Sequence, residues 1–173
     1  MSLTFGSSCH SGKKATGDAV SQSTEDTPQP DGDIKVKDKM VEDEDSLFAS
    51  ISRSPCFGRC PEYDLRIYRS GYTIYDAKRF TDTVGVFYTI LPREKLDKIK
   101  EYANEIGYFE MEDSYDNQYV TDIPGVDTRC HFDGKDKSIH NRYQGPRELS
   151  SFEKFLDDQV KDVEWKLLKR PQD

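Results

Sequence analysis

The stretch that most restricts the fold runs from residue 63 to 80, YDLRIYRSGYTIYDAKRF. Tyr63, Leu65 and Ile67 alternate along one strand face, and Tyr72 and Ile74 alternate along the next. Period-two alternation of β-branched and aromatic residues is the pattern of a half-buried strand. Ser70-Gly71 between the two runs predicts a two-residue hairpin turn in which the glycine supplies positive φ. On either side, LFASISR at 47–53 puts Leu47, Ala49 and Ile51 on one face, and VGVFYTI at 84–90 aligns Val84, Val86, Tyr88 and Ile90. Both read as strands.

The period then changes. Pro92 suits a helix start, where its missing N–H costs nothing. Leu96, Ile99, Ala103 and Ile106 form one apolar stripe, and Gly107 predicts the stop. MEDSYDNQYVTDIPG from 111 to 125 is an irregular acidic crossing. TRCHFDGKDKSIHNRY from 128 to 143 reads as a second hairpin turning near Asp133-Gly134-Lys135. Leu149, Phe152, Leu156, Gln159/Val160 and Val163 stripe a second helix, and Pro171 closes the chain. The order β-β-β-β-α-β-β-α predicts an α+β domain, an antiparallel sheet with two helices packed on one face.

Charge sets the domain limits. Residues 1–45 carry ten acids against five lysines and a single aromatic residue, Phe5. Such a segment buries too little apolar surface to offset the entropy of ordering, so it reads as a disordered acidic tether. The α+β domain then spans 46–168, with a tail at 169–173. A net charge of -8 on 173 residues argues against nucleic acid or an anionic membrane surface as a partner. Near the start, LTFGSSCHSGKK sets Cys9 after small residues and before a polar tail. This resembles the processed end of bacterial lipoproteins, where the cysteine is lipidated; the alternative is a cysteine without a role. A lipid anchor on Cys9 is the one membrane contact expected.

CFGRCPEY at 56–63, RSGY at 69–72, GYFEM at 107–111 and YDNQYVTDIPG at 115–125 carry a resemblance. They are similar to an uncharacterised bacterial family, a domain of unknown function found in extracytoplasmic proteins, many with lipoprotein signals. The similarity spans about residues 47–166. It implies an extracytoplasmic or periplasmic location and domain limits, and no activity or catalytic residue.

Cys56 and Cys60 in that motif admit three readings. Three intervening residues with Gly58 at the centre can bring two Cα atoms within disulfide range, about 4.4–6.8 Å, and an envelope compartment favours oxidation. The pair is then a staple that shapes the entry to the strand at Tyr63. Buried free thiols are the second reading. Thiol-redox catalysis is the third; it needs a thiol of lowered pKa, for which Arg59 offers the cation, but Pro61 leads into a strand rather than a helix and the spacing is CxxxC.

Other chemistry has less to stand on. A hairpin turning at Gly134-Lys135 pairs Cys130 with Ile139 and His131 with Ser138, leaving His131 and His140 as diagonal neighbours within reach of a shared ion. Zinc usually takes three or four ligands, and the plainer reading is two solvent-facing histidines. Asp113, Asp116, Asp122 and Asp127 lack the spacing of a compact calcium loop. No cofactor is expected, and G-x-S-x-G, H-E-x-x-H and P-loop motifs are missing.

Recognition remains. If helices cover one sheet face, Tyr68 and Tyr75 fall on the other beside Arg66, and Tyr and Arg are the residues that anchor interfaces. The loop 116–125, with Tyr119, Asp122 and Pro124, offers a second surface. The expectation is a non-enzymatic, envelope-tethered module that binds a protein, peptide or glycan. The alternative is a thiol-redox or thiol–metal protein centred on Cys56 and Cys60.

Overall fold

The computed structural model describes residues 45–120 and 122–170, so Cys9 and all of the predicted tether but Asp45 lie outside the described residues. The chain forms β1 (Leu47–Arg53), β2 (Glu62–Tyr68), β3 (Tyr72–Arg79), β4 (Gly85–Ile90), α1 (Arg93–Glu105), a 3-10 turn at Tyr108–Glu110, β5 (Ser114–Tyr115), β6 (Val126–Phe132), β7 (Lys135–Asn141), α2 (Arg147–Gln159) and β8 (Lys166–Lys169). The class is α+β, as the periodicities predict. All eight strands of the described residues join one sheet in the order β5-β7-β6-β1-β2-β3-β4-β8.

Two features correct the expected sheet. The short strands β5 and β8 add an edge at each side, and β5 runs parallel to β7, so the sheet is mixed rather than antiparallel throughout. The second helix also ends at Gln159, before Val163, and the chain turns back to form β8, a strand absent from the expected order.

Both helices and one face of the sheet share a single core. Leu96, Ile99 and Ala103 of α1 and Leu149, Phe152 and Leu156 of α2 are buried with Ala49, Ile51, Leu65, Ile67, Cys130 and Ile139 from the strands. A bulge between Leu47 and Ala49 brings Phe48 into this core, with its ring 5.1 Å from Phe132. Tyr108 is fully buried, and its hydroxyl lies 2.8 Å from Thr128 Oγ1. Gly107 permits that placement, because it closes α1 in the left-handed region at φ 65. Among the described residues no helix is long and apolar enough to cross a membrane.

The first hairpin differs from expectation by one residue, with large consequences. Its loop is Arg69-Ser70-Gly71: the Gly71 N–H donates to the Tyr68 carbonyl at 2.9 Å, and Ile67 pairs with Thr73. Adding one residue to a loop moves every side chain of the following strand to the opposite face. Tyr75 therefore sits opposite Leu65 on the helix-covered face, not beside Tyr68 and Arg66. Tyr68 is itself buried, so it does not present an open aromatic surface. In the second hairpin the turn residues are Asp133 and Gly134, both at positive φ. His131 pairs with Asp136 and His140 with Asp127.

Gly71 makes the tightest demand in this framework. Its φ is +88, and an added Cβ would overlap the backbone carbonyl oxygen of Leu91, whose own N–H donates to the Gly71 carbonyl at 2.8 Å. Gly71→Ala should lower stability by about 3 kcal/mol, combining left-handed strain with a clash that only backbone movement relieves. Gly134 has φ +74 and nothing within 4 Å of an added Cβ, so Gly134→Ala should cost only about 1 kcal/mol. Urea unfolding of the two variants against the parent checks the contrast.

Candidate functional site

Alternation along β1 brings Ala49, Ile51 and then Arg53 to the helix-covered face. An arginine at that inward position must find partners, because an unpaired charge away from water is costly. Tyr63 of β2 is directly opposite it. Asp157 arrives from α2, two turns beyond Leu149 on the same side of the helix.

The three side chains close a triangle. Arg53 Nε donates to Tyr63 Oη at 2.8 Å, and Arg53 Nη2 donates to Asp157 Oδ2 at 2.6 Å. The Tyr63 hydroxyl in turn donates to Asp157 Oδ1. The Arg53 and Asp157 side chains keep 24% and 25% of their exposure, so the pair is shielded but open on one side. Burial works against the Arg53 charge, yet Tyr63 and Asp157 more than offset it and hold the guanidinium pKa above its ordinary value. Burial, reinforced by the Asp157 charge, pushes the Tyr63 phenol well up.

A cleft of about 510 Å³ opens beside this triangle. Its aromatic wall is a run of tilted rings, with Tyr75 5.2 Å from Tyr63 and 5.4 Å from Trp165 between centroids. Phe87 lies opposite Tyr75 on β4, and Phe80, Asp82 and Lys161 complete the rim. The cleft follows from the dimensions of the layers. Eight strands at about 4.8 Å spacing make a sheet roughly 34 Å across, and two helices about 10 Å wide cover little more than half of it. The inward face of β3 and β4 is left to side chains and loops.

The cysteine motif borders the same cleft. Cys56 and Cys60 form a disulfide with Cα atoms 5.7 Å apart. This closes a small ring that exposes 87% of Phe57 and hands the chain to Pro61, a cleft residue. The Gly58 N–H donates to Cys56 Sγ at 3.2 Å. The Arg59 and Arg79 guanidinium carbons lie 5.9 and 5.2 Å from the centre of the Phe80 ring, so that rim residue meets one cation from the motif and one from the end of β3. Cys130 is a separate, buried thiol opposite Ala49, and burial pushes its pKa up.

The residues singled out in the sequence do not converge on one place. Arg66 is paired with Ser50 and Ile74 on the face away from the helices, and Tyr68 is buried. Tyr119, 85% exposed, and Asp122 stand on the loop before β6. Only Tyr75 lines the cleft, alongside the ring closed by Cys56 and Cys60. His131 and His140 share a face, but the register sets them four residues apart along the ladder, about 13 Å, too far for a common ion. His140 Nδ1 instead lies 2.7 Å from Asp127 Oδ1. Among the described residues no group of three or more histidines, cysteines and acids is arranged to hold a metal. Arg53, Asp157 and Trp165 are not among the residues singled out in the sequence, although a charge at an inward strand position and an acid one turn past Glu153 on an apolar helix stripe are visible signals.

Tyr75 gives the site a pH signature. Burial, with Asp157 and Asp82 nearby, pushes its phenol up to about 12. A tyrosine in the unfolded chain ionises near 10, so between about pH 10 and 12 the unfolded state binds fewer protons, and stability falls as pH rises. The melting temperature should drop more steeply through that window in the parent than in Tyr75→Phe. Below about pH 9 the two slopes should coincide. Thermal melts at graded pH provide the check.

Comparison with known proteins adds a family and no activity. No curated protein and no solved structure matches the chain. A family model described as a domain of unknown function, DUF6438, matches residues 48–160, which takes in β1 through α2, the disulfide ring and the Arg53–Tyr63–Asp157 triangle. The chain belongs to the DUF6438 family.

Proposed function

We propose that the domain is a non-enzymatic binding module that works outside the cytoplasm and seats part of a protein, peptide or glycan partner in the Arg53–Tyr63–Asp157 cleft. The observation that carries this reading is the composition of the cleft, a concave aromatic wall beside one fixed ion pair. Ligand sites commonly combine apolar and aromatic walls with a few placed polar groups, in volumes of about 300–1,000 Å³. The phenols of Tyr63 and Tyr75 are both held protonated well above neutral pH, the reverse of what a general base or nucleophile needs. The Cys56–Cys60 disulfide supports an oxidising compartment, where such bonds persist. Tethering through the acidic segment 1–45, with lipidation at Cys9, belongs to the same proposal.

One observation favours the thiol-redox alternative. The Gly58 N–H that donates to Cys56 Sγ would stabilise a thiolate if the disulfide were reduced. Against it, Pro61 leads into β2, so no helix N-terminus faces the sulfurs.

Two measurements separate the readings. Alkylation and mass spectrometry in graded thiol buffers should place the Cys56/Cys60 potential below about -300 mV, as for a structural disulfide; a value between roughly -270 and -120 mV would assign a redox role. Replacing both cysteines by serine should cost about 2 kcal/mol of stability, the loop-closure entropy of so small a ring. A fragment screen read by amide resonance shifts should still map hits to Tyr75, Phe87 and Trp165 in that variant. Hits that cluster on another surface would sink the assignment of the cleft.

A further inference from the structure

We infer that the cleft takes a neutral sugar unit, stacked on the Tyr75–Trp165 rings and hydrogen-bonded by Arg53 and Asp157. This rests on the cleft being the binding site and names the class of ligand it accepts.

Charge is the first argument. The two cations of the lining already carry carboxylate partners, Arg53 with Asp157 at 2.6 Å and Lys161 with Asp158. An anionic ligand would have to compete with both. Asp157 is neutralised in the same way, which leaves a cationic ligand only Asp82, at the exposed rim. The cleft is matched to a ligand without net charge.

Hydrogen-bonding capacity is the second. A guanidinium has five N–H donors, of which two are used here, and a carboxylate has about four acceptor sites, of which two are used. Spare donors on Arg53 therefore lie next to spare acceptors on Asp157, on side chains that both retain a quarter of their exposure. Vicinal hydroxyls, each able to donate and accept, fit that pairing. A proline-rich peptide, which also stacks on aromatic rings, has no N–H on its prolines to offer Asp157.

The wall is the third. The Tyr75 and Trp165 rings pack offset against each other, with centroids 5.4 Å apart and planes tilted by 32°, and both line the cleft. Aromatic faces carry partial negative charge, which suits the weakly positive C–H groups on the face of a pyranose ring.

Trp165 is the only tryptophan in the chain, so its fluorescence reports on the cleft directly. The full chain, with its disulfide intact, is titrated with cellobiose, maltose and N,N′-diacetylchitobiose, and separately with decaproline and tetramethylammonium chloride. The expected result is a saturable change with at least one disaccharide, weakened about tenfold or more by Asp157→Asn and by Tyr75→Leu with the circular dichroism spectrum unchanged. Should Asp157→Asn fail to fold, Tyr75→Leu alone carries the test. The inference is overturned if no disaccharide saturates, if the response survives in both variants, or if decaproline or tetramethylammonium saturates while the sugars stay silent. Fragment hits in the cleft without any sugar response would remove the ligand class and leave the binding reading standing.

Discussion

Arg53 carries a positive charge onto the side of the sheet that the helices cover, and the way that charge is satisfied organises the surrounding structure. Its guanidinium reaches Tyr63 on the neighbouring strand and Asp157 on α2, while the Tyr63 hydroxyl closes the third side. Removing one partner of a shielded pair leaves an uncompensated charge, which is far more costly than the net worth of the pair. The triangle therefore fixes where the end of α2 sits relative to β1 and β2. It also draws the polar floor of the cleft, because the same three groups that lock the helix present their unused donors and acceptors to the opening.

The cleft depends on that lock and on a mismatch of layers. Two helices of 13 residues each do not span an eight-stranded sheet. Over β1, β2 and β6 they bury the aliphatic core. Over β3 and β4 the inward face carries Tyr75 and Phe87 instead, closed from the side by Trp165 in the approach to β8. The disulfide ring enters as a boundary. It turns the chain from the end of β1 to the start of β2, delivers Pro61 to the rim, and places Arg59 against Phe80.

Much of this architecture was legible in the sequence, and the parts that were not share a physical cause. Four strands, two helices and two further strands follow from periods of two and of 3.6, and the CxxxC spacing with a central glycine made a Cys56–Cys60 disulfide geometrically reasonable. Strands of two and four residues, such as β5 and β8, are too short to display a period. Loop length was decisive and invisible: Arg-Ser-Gly admits a two-residue or a three-residue turn, and the difference carries Tyr75 from the expected open face into the cleft. The turn at Asp133-Gly134 likewise separates His131 from His140. The cleft itself needs residues far apart in sequence, Arg53, Asp157 and Trp165, and only their pairing in three dimensions turns an inward arginine and a helix acid into a site.

The most direct test of the central role of the triangle is a double-mutant cycle for stability on Arg53→Met and Asp157→Asn. Each single change should cost more than about 2 kcal/mol and the double change less than their sum, with a coupling of at least roughly 1.5 kcal/mol. A coupling below about 0.5 kcal/mol, the value of an ordinary exposed ion pair, would contradict that role.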